Sequence, residues 1–250
     1  MISARKWERK QLHLNPAHPA LSEKRTIHVK TIRSPSTPKT ILKPASANSK
    51  LGKRSNIVTR GKWKGMRMFS LTLEERKTCP SDCFRWAECY GNGMPFAHRF
   101  EHGSDLTWHL YFELEKLAEK NPNGYVVRLH ILGDFYSWAY AMFWRNMLEL
   151  FPQLHIFGYT ARKEGDIHDA IVGTNAKFPD RHVVRISTNK SWDKAQPHKT
   201  YASNETVGKS FDCPEQTKKT ESCLTCGLCW TVNNTVRFQD HDKLRKGVTV

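Results

Sequence analysis

The sequence predicts an α/β protein built on a parallel sheet, and three observations carry that expectation. Between Met66 and Thr188, short apolar runs of strand length alternate with stretches of helical period. The runs end in small or polar residues, as strands do when a site lies beyond their carboxyl ends. All seven cysteines fall into two tight groups, Cys79, Cys83 and Cys89 upstream and Cys213, Cys223, Cys226 and Cys229 downstream.

Each element has a local reason. Met66, Met68, Ser70 and Thr72 alternate with Arg67, Phe69, Leu71 and Leu73, which suits a strand leading into the first cysteine loop. Leu106, Leu110, Leu114 and Leu117 recur at helical spacing across Asp105–Lys120, and Asn121-Pro122-Asn123-Gly124 stops that helix. Tyr125–Leu132 is an apolar strand ending at Gly133-Asp134. Ser137 suits the cap of a helix carrying Ala141, Phe143, Trp144, Met147, Leu148 and Leu150 as far as Pro152. Leu154–Thr160 predicts a strand, Gly165–Lys177 a weaker helix and His182–Thr188 another strand. A polar loop of some twenty residues then leads to the second cysteine group, and Thr235–Gln239 reads as a last short strand.

About four or five such βα units fall short of a closed eight-unit barrel. The expected architecture is therefore a partial (β/α) barrel-like parallel sheet with cysteine-rich metal loops and a basic N-terminal arm, an open doubly wound sheet being the alternative. Residues 1–60 make the arm and residues 61–250 the α/β metal-binding domain. The arm mixes Pro16, Pro19, Pro35, Pro38 and Pro44 with Ser, Thr and Lys and shows no sustained apolar period. Within it, Thr26–Ile32 alternates enough for a short strand, and Ala45–Arg54 is placed to pack on the body.

Charge is unevenly spread. The net charge is +16, yet residues 1–67 hold 17 Lys and Arg against Glu8 and Glu23 alone, leaving 23 basic and 22 acidic residues in the remainder. Such an arm is either a solubilising tail or a phosphate-binding one, and nucleic acid is the partner it suggests. Arg5–Lys10 and Glu23–Lys30 interrupt any signal-peptide core, and no stretch approaches a membrane span. Disulfides staple distant segments rather than crowd within ten residues, so the cysteines point to a reducing cytoplasm and to metal.

The downstream group reads C-x9-C-x2-C-x2-C, and its last three thiols share one turn, as in ferredoxin-type ligation of a 4Fe-4S cluster. Structural zinc usually pairs two separated C-x2-C hairpins, which makes zinc the alternative. The upstream C-x3-C-x5-C supplies three thiolates. It suits zinc completed by His98 or His102, or a cluster with one iron open; one centre drawing on both groups is a further arrangement. The strand ends add Gly133-Asp134, Tyr159-Thr160 with Arg162, Ser187-Thr188-Asn189 and Asp240-His241. Asp134 equally suits a cap of the Ser137 helix, Arg162 a solvated loop and His241 a structural role.

Arg76-Lys77-Thr78-Cys79-Pro80 with Cys83 and Cys89-Tyr90, Arg128-Leu129-His130 through Gly133-Asp134-Phe135, Tyr159-Thr160-Ala161-Arg162, and Cys213-Pro214 through Cys223 to Cys229-Trp230 together resemble the gene product 88 family of bacteriophage proteins. The resemblance spans roughly residues 45 to 241 and implies a viral origin, hence the cytoplasm of a bacterial host, without an activity. A looser similarity is to the radical S-adenosylmethionine superfamily, whose three-cysteine loop follows the first strand of a partial barrel. Its usual loop is C-x3-C-x2-C. That similarity implies a reactive cluster at Cys79, Cys83 and Cys89, an auxiliary or structural one at the downstream cysteines, Gly133 and Asp134 at the S-adenosylmethionine ammonium, and Asp134, Tyr159, Thr160 and Arg162 lining the catalytic pocket. The competing expectation is a non-enzymatic nucleic-acid-binding or virion-associated protein whose metals only hold its fold.

Overall fold

A computed structural model describes residues 10–11, 28–29, 32–36, 40–83, 89, 91, 94, 97–188, 199–203, 210–232 and 234–239. Half of the expected arm, Asn189, and the strand-end pair Asp240-His241 lie outside the described residues. In chain order come β1 (Lys10–Gln11), β2 (His28–Val29), β3 (Ile32–Arg33), β4 (Lys43–Pro44) with a 3-10 turn at Ala45–Ala47, β5 (Arg67–Ser70), α1 (Glu75–Thr78) and β6 (Arg99–Phe100). Then follow α2 (Ser104–Lys120), β7 (Tyr125–Leu129), α3 (Trp138–Leu150), β8 (Leu154–Thr160), α4 (Gly165–Lys177) and β9 (His182–Thr188). The chain closes with β10 (Lys199–Ser203), β11 (Ser210–Asp212), α5 (Cys223–Cys226), α6 (Leu228–Thr231) and β12 (Thr235–Gln239).

Eight strands form one mixed sheet in the order β11-β12-β10-β9-β8-β7-β5-β4. Its centre, β5-β7-β8-β9, is parallel and runs in chain order, while β4 and β10 flank it antiparallel. Among the described residues the sheet is open, with β4 and β11 at its edges. Right-handed crossovers between strands taken always in one direction place every connecting helix on one face. Strand parity confirms it. Tyr125, Val127, Leu129, Leu154, Ile156 and Val184 bury against α2, α3 and α4, whereas their neighbours Val126, Phe157 and Val183 face away from those helices.

Helix α2 shows what fixes this outer layer. Its N-cap, Gly103, supplies no side-chain hydrogen bond, but Leu106, Leu110 and Leu114 are fully buried along one stripe. Burial at roughly 1.5–3 kcal/mol per leucine outweighs the roughly 1 kcal/mol that a good cap adds. Helix α3 has both, since the Ser137 hydroxyl accepts the Tyr140 N–H at 3.1 Å as expected.

No helix of the α2–α4 layer covers the other face. It is closed by Ala45, Leu51, Val58 and Trp63 from the segment before β5 and by Leu224 and Trp230 from the downstream cysteine segment. Residues counted with the arm by composition therefore sit in the core: Ile41, Leu42, Ala45, Leu51 and Val58 are each at most 3% exposed. Two strands also stand where a polar loop was expected, because β10 is held by pairing to β9 and β12 and not by an apolar period of its own. Among the described residues no helix is long and apolar enough to cross a membrane.

Candidate metal centre

The upstream cysteines begin where α1 ends, just past the carboxyl end of β5. Cys79 caps α1, and its N–H donates to the Glu75 carbonyl at 3.1 Å. The residue before it is clamped from two neighbouring strand ends. The Thr78 hydroxyl accepts the Asp134 N–H at 3.1 Å and donates to the Glu74 carbonyl at 2.7 Å, while the Thr78 carbonyl accepts from Arg162 Nη2 at 2.9 Å. Asp134 is itself saturated. Its carboxylate accepts from the Thr160 hydroxyl and from the Phe135 and Ala161 N–H groups, each at 2.7 Å. Burial pushes the Asp134 carboxyl up, and these donors with Arg162 pull it back.

These contacts change the role expected of the strand-end residues. Asp134 and Thr160 are 3% and 1% exposed with their polar atoms turned to the protein, and Arg162 spends its guanidinium on the carbonyls of Phe135 and Thr78. Their contacts converge on the residue before Cys79, and Ser137, not Asp134, caps α3. Gly133 serves the same packing. Its φ is +86°, and a Cβ there would lie 2.7 Å from both Leu73 Cβ and Thr78 Oγ1.

A second anchor escaped the sequence reading. Arg99, 0% exposed at its side chain, donates to both carboxylate oxygens of Glu75 and to the carbonyls of Gly91, Met94 and Ala97. All five guanidinium donors are used. The far limb of the cysteine loop is thereby drawn onto α1. Gly91 tolerates this approach because it lacks a Cβ, which would stand 2.6 Å from Glu75 Oε1. The pair leaves no trace in the sequence beyond two opposite charges 24 residues apart.

Cys79, Cys83 and Cys89 act on one another electrostatically. Burial raises the Cys79 thiol well above its ordinary range, and Asp134, the other two thiols and Glu75 add to the effect. The expected histidines have other company. His98 is hydrogen-bonded to Arg33 at 3.2 Å, and His102 packs edge-on against Tyr136 with Lys77 and Glu101 as its charged neighbours.

The downstream group is built on the inner face. Cys223 and Leu224 donate their N–H groups to the carbonyls of Lys50 and Leu51, and the Thr59 N–H returns a bond to the Leu224 carbonyl. The Ser222–Thr225 capping box starts α5, and Gly227 at φ +73° turns the chain into α6, its Cα so near the Arg60 carbonyl that a Cβ would lie 2.7 Å from it. From β9, the buried Arg185 donates to the carbonyls of Cys229, Val232 and Asn234. Cys213 enters from the end of β11, its N–H held by the Arg237 carbonyl at 2.9 Å.

Four thiols so gathered feel one another and a ring of cations. Burial raises Cys223, Cys226 and Cys229; Lys50 and Arg128 oppose it at Cys223, Arg60 at Cys226 and Arg185 at Cys229. The Leu228 N–H also favours the Cys226 thiolate, and the Tyr159 hydroxyl that of Cys229. Tyr159, stacked beneath Arg128 at 4.8 Å, thus belongs to the downstream group, whereas adjacent Thr160 belongs to the upstream clamp. Successive strand residues face opposite ways, so the two side chains lie on opposite sides of β8.

No two of the seven cysteines are joined by a disulfide, and among the described residues no three Cys, His, Asp or Glu side chains converge closely enough to hold a single metal ion. The downstream donor set still fits a thiolate-bound group in its chemistry: four soft ligands, N–H and O–H donors to sulfur, and cations to offset anionic charge.

No curated protein and no solved structure matches the chain. A family described as Gene product 88 does, over residues 40–245, a span holding both cysteine groups, the Asp134 clamp and the Arg185 anchor. The match lends nothing to the looser radical S-adenosylmethionine similarity, and by its extent the chain belongs to the gene product 88 family.

Proposed function

We propose that the protein is a phage-encoded iron–sulfur protein in which Cys213, Cys223, Cys226 and Cys229 hold a four-iron cluster, with zinc as the alternative occupant. The observation that carries this reading is the company those thiols keep. Buried thiolates are costly unless charge and hydrogen bonds compensate them, and Lys50, Arg60, Arg128, Arg185, Tyr159 and the Leu228 N–H supply both. Four sequential parallel strands with their helices on one face support the partial-barrel reading of the sheet. Its inner face is the floor of the cluster site.

The upstream triad is the second candidate centre. It follows the first parallel strand, and its three thiols leave room for a cluster with one open iron, for which S-adenosylmethionine is the proposed ligand. Asp134, Thr160 and Arg162 then act as positioning residues for Cys79. Nucleic acid is the proposed partner of the basic arm, and the reducing cytoplasm of the host is the proposed compartment.

Iron and acid-labile sulfide analysis of anaerobically purified protein, with its visible spectrum, tests the reading. About four irons per chain mean one cluster and about eight mean two. Zinc in a colourless protein would overturn it. For the upstream centre, the reduced protein is expected to cleave S-adenosylmethionine to 5′-deoxyadenosine, and Cys83→Ser to abolish this; intact S-adenosylmethionine in an iron-loaded protein would leave a structural cluster protein of the non-enzymatic kind.

A further inference from the structure

The segment that closes the inner face carries a second feature on its solvent side. Lys50, Lys53, Arg54, Arg60, Lys62 and Lys64 are six basic residues in fifteen, with no acidic residue among them. The segment runs against the downstream cysteine stretch, whose outer turn adds the exposed Lys218 and Lys219. Three carboxylates meet this face: Glu215 pairs with Lys50 at 3.5 Å, Glu221 with Lys53 at 3.0 Å, and Asp180 approaches Lys62 at 3.9 Å. Arg54, Arg60, Lys64, Lys218 and Lys219 are exposed with no ion pair among the described residues, an excess of five charges carried by the folded body.

The face also has relief. A cleft of about 760 Å³ is lined by Ser46, Ser49, Lys53, Arg54 and Glu221, bringing two hydroxyls and two cations to one concavity. Hydroxyl donors beside Lys and Arg are the chemistry that holds phosphate oxygens. The Lys53–Glu221 pair on its rim is 55% and 60% exposed, and so weak a pair yields easily to a phosphate.

We propose that this face binds the phosphodiester backbone of double-stranded nucleic acid, with one phosphate seated in the Ser46–Ser49–Lys53–Arg54 cleft. Among the described residues of the face no aromatic ring is freely exposed, which selects a duplex over a single strand: Trp63 is buried, Phe238 is half-buried beneath Lys50, and Ile57 is the exposed large apolar residue. A membrane surface would call for several such apolar side chains. Binding is therefore led by phosphate contacts and indifferent to sequence. The proposal does not rest on the metal reading, because the visible spectrum reports the cluster and the binding assay reports the face.

The test uses the full chain and a fluorescein-labelled duplex of mixed sequence, followed by fluorescence anisotropy over a range of salt. Arg54→Glu with Lys64→Glu should weaken binding at least about tenfold at low salt and flatten the log–log salt dependence by about two, one per lost phosphate contact. The same reversal at Lys116 and Lys120 on α2, across the sheet, should leave binding near the wild-type level, and both double variants should melt as the wild type does. Unchanged duplex affinity in a folded Arg54→Glu/Lys64→Glu protein overturns the proposal. So does equal weakening by the α2 pair, or a preference for phosphatidylserine vesicles over duplex.

Discussion

Arg99 grips Glu75 through two parallel hydrogen bonds, Nε to Oε2 at 2.6 Å and Nη2 to Oε1 at 2.8 Å, with both side chains shut away from water. Removing one partner leaves a buried charge without compensation, which costs about 3–5 kcal/mol. Glu75→Gln and Arg99→Lys should each lower the urea midpoint sharply, and Arg99→Lys should fail to rescue because three ammonium donors cannot serve five acceptor contacts. Midpoints within error of the wild type would deny the pair its anchoring role.

Metal binding at such a site is also folding free energy. Cys226→Ser should therefore lose metal and melt at a lower temperature, whereas a cysteine idle in the fold would change neither. Unaltered stoichiometry in that variant removes Cys226 from the centre.

The hydroxyl of Tyr159 favours the Cys229 thiolate, and donors to sulfur make a cluster easier to reduce. Tyr159→Phe keeps the ring under Arg128 and deletes only that donor. Its cluster should show a more negative midpoint potential in a redox titration, with iron content unchanged. An identical potential would mean that the hydroxyl does not reach the sulfur.

Burial holds His130 and His182 near pKa 3, far below the ordinary 6.5. Between those values the unfolded chain takes up protons that the folded one refuses, so stability is whole above 6.5 and drains as pH falls toward 3. Glu74 runs the other way. Burial raises it to about 6 from 4.5, so its charge destabilises the fold at neutral pH and its protonation relieves the fold on descent through 6. Glu74→Gln should add about 2 kcal/mol at pH 7.5 and little at pH 4.5. Denaturant melts at the two pH values check both signs.

The arm is tested by charge alone, since deletion as far as Pro44 would remove the buried Ile41 and Leu42. Reversing Lys6, Arg9 and Lys10 to Glu should weaken duplex binding and flatten its salt dependence without moving the melting temperature. Equal binding would leave the arm out of the contact.

Periodic elements were legible in the sequence because their causes are local. Leu154–Thr160, Gly165–Lys177 and His182–Thr188 stand where apolar period and turn residues put them. The grouping of cysteines was legible for the same reason, as spacing along one turn limits where thiols go. What stayed hidden depends on partners distant in the chain. Glu75 and Arg99 carry no periodic mark, β10 exists through pairing, and the single-sided placement of helices emerges only from strand order. Tyr159 and Thr160 were grouped as sequence neighbours, yet the pleat sends them to different cysteine groups.

The way the inner face is closed has a consequence for how the chain is made. Val126, Phe157 and Val183 have been synthesised long before Leu224 and Trp230 emerge to cover them. A ribosome carrying the first 200 residues therefore holds that face covered only by Ala45, Leu51, Val58 and Trp63, and the contacts that complete its cover span about 40 to 100 residues of chain. Folding of the downstream cysteine segment and completion of the core become one late event.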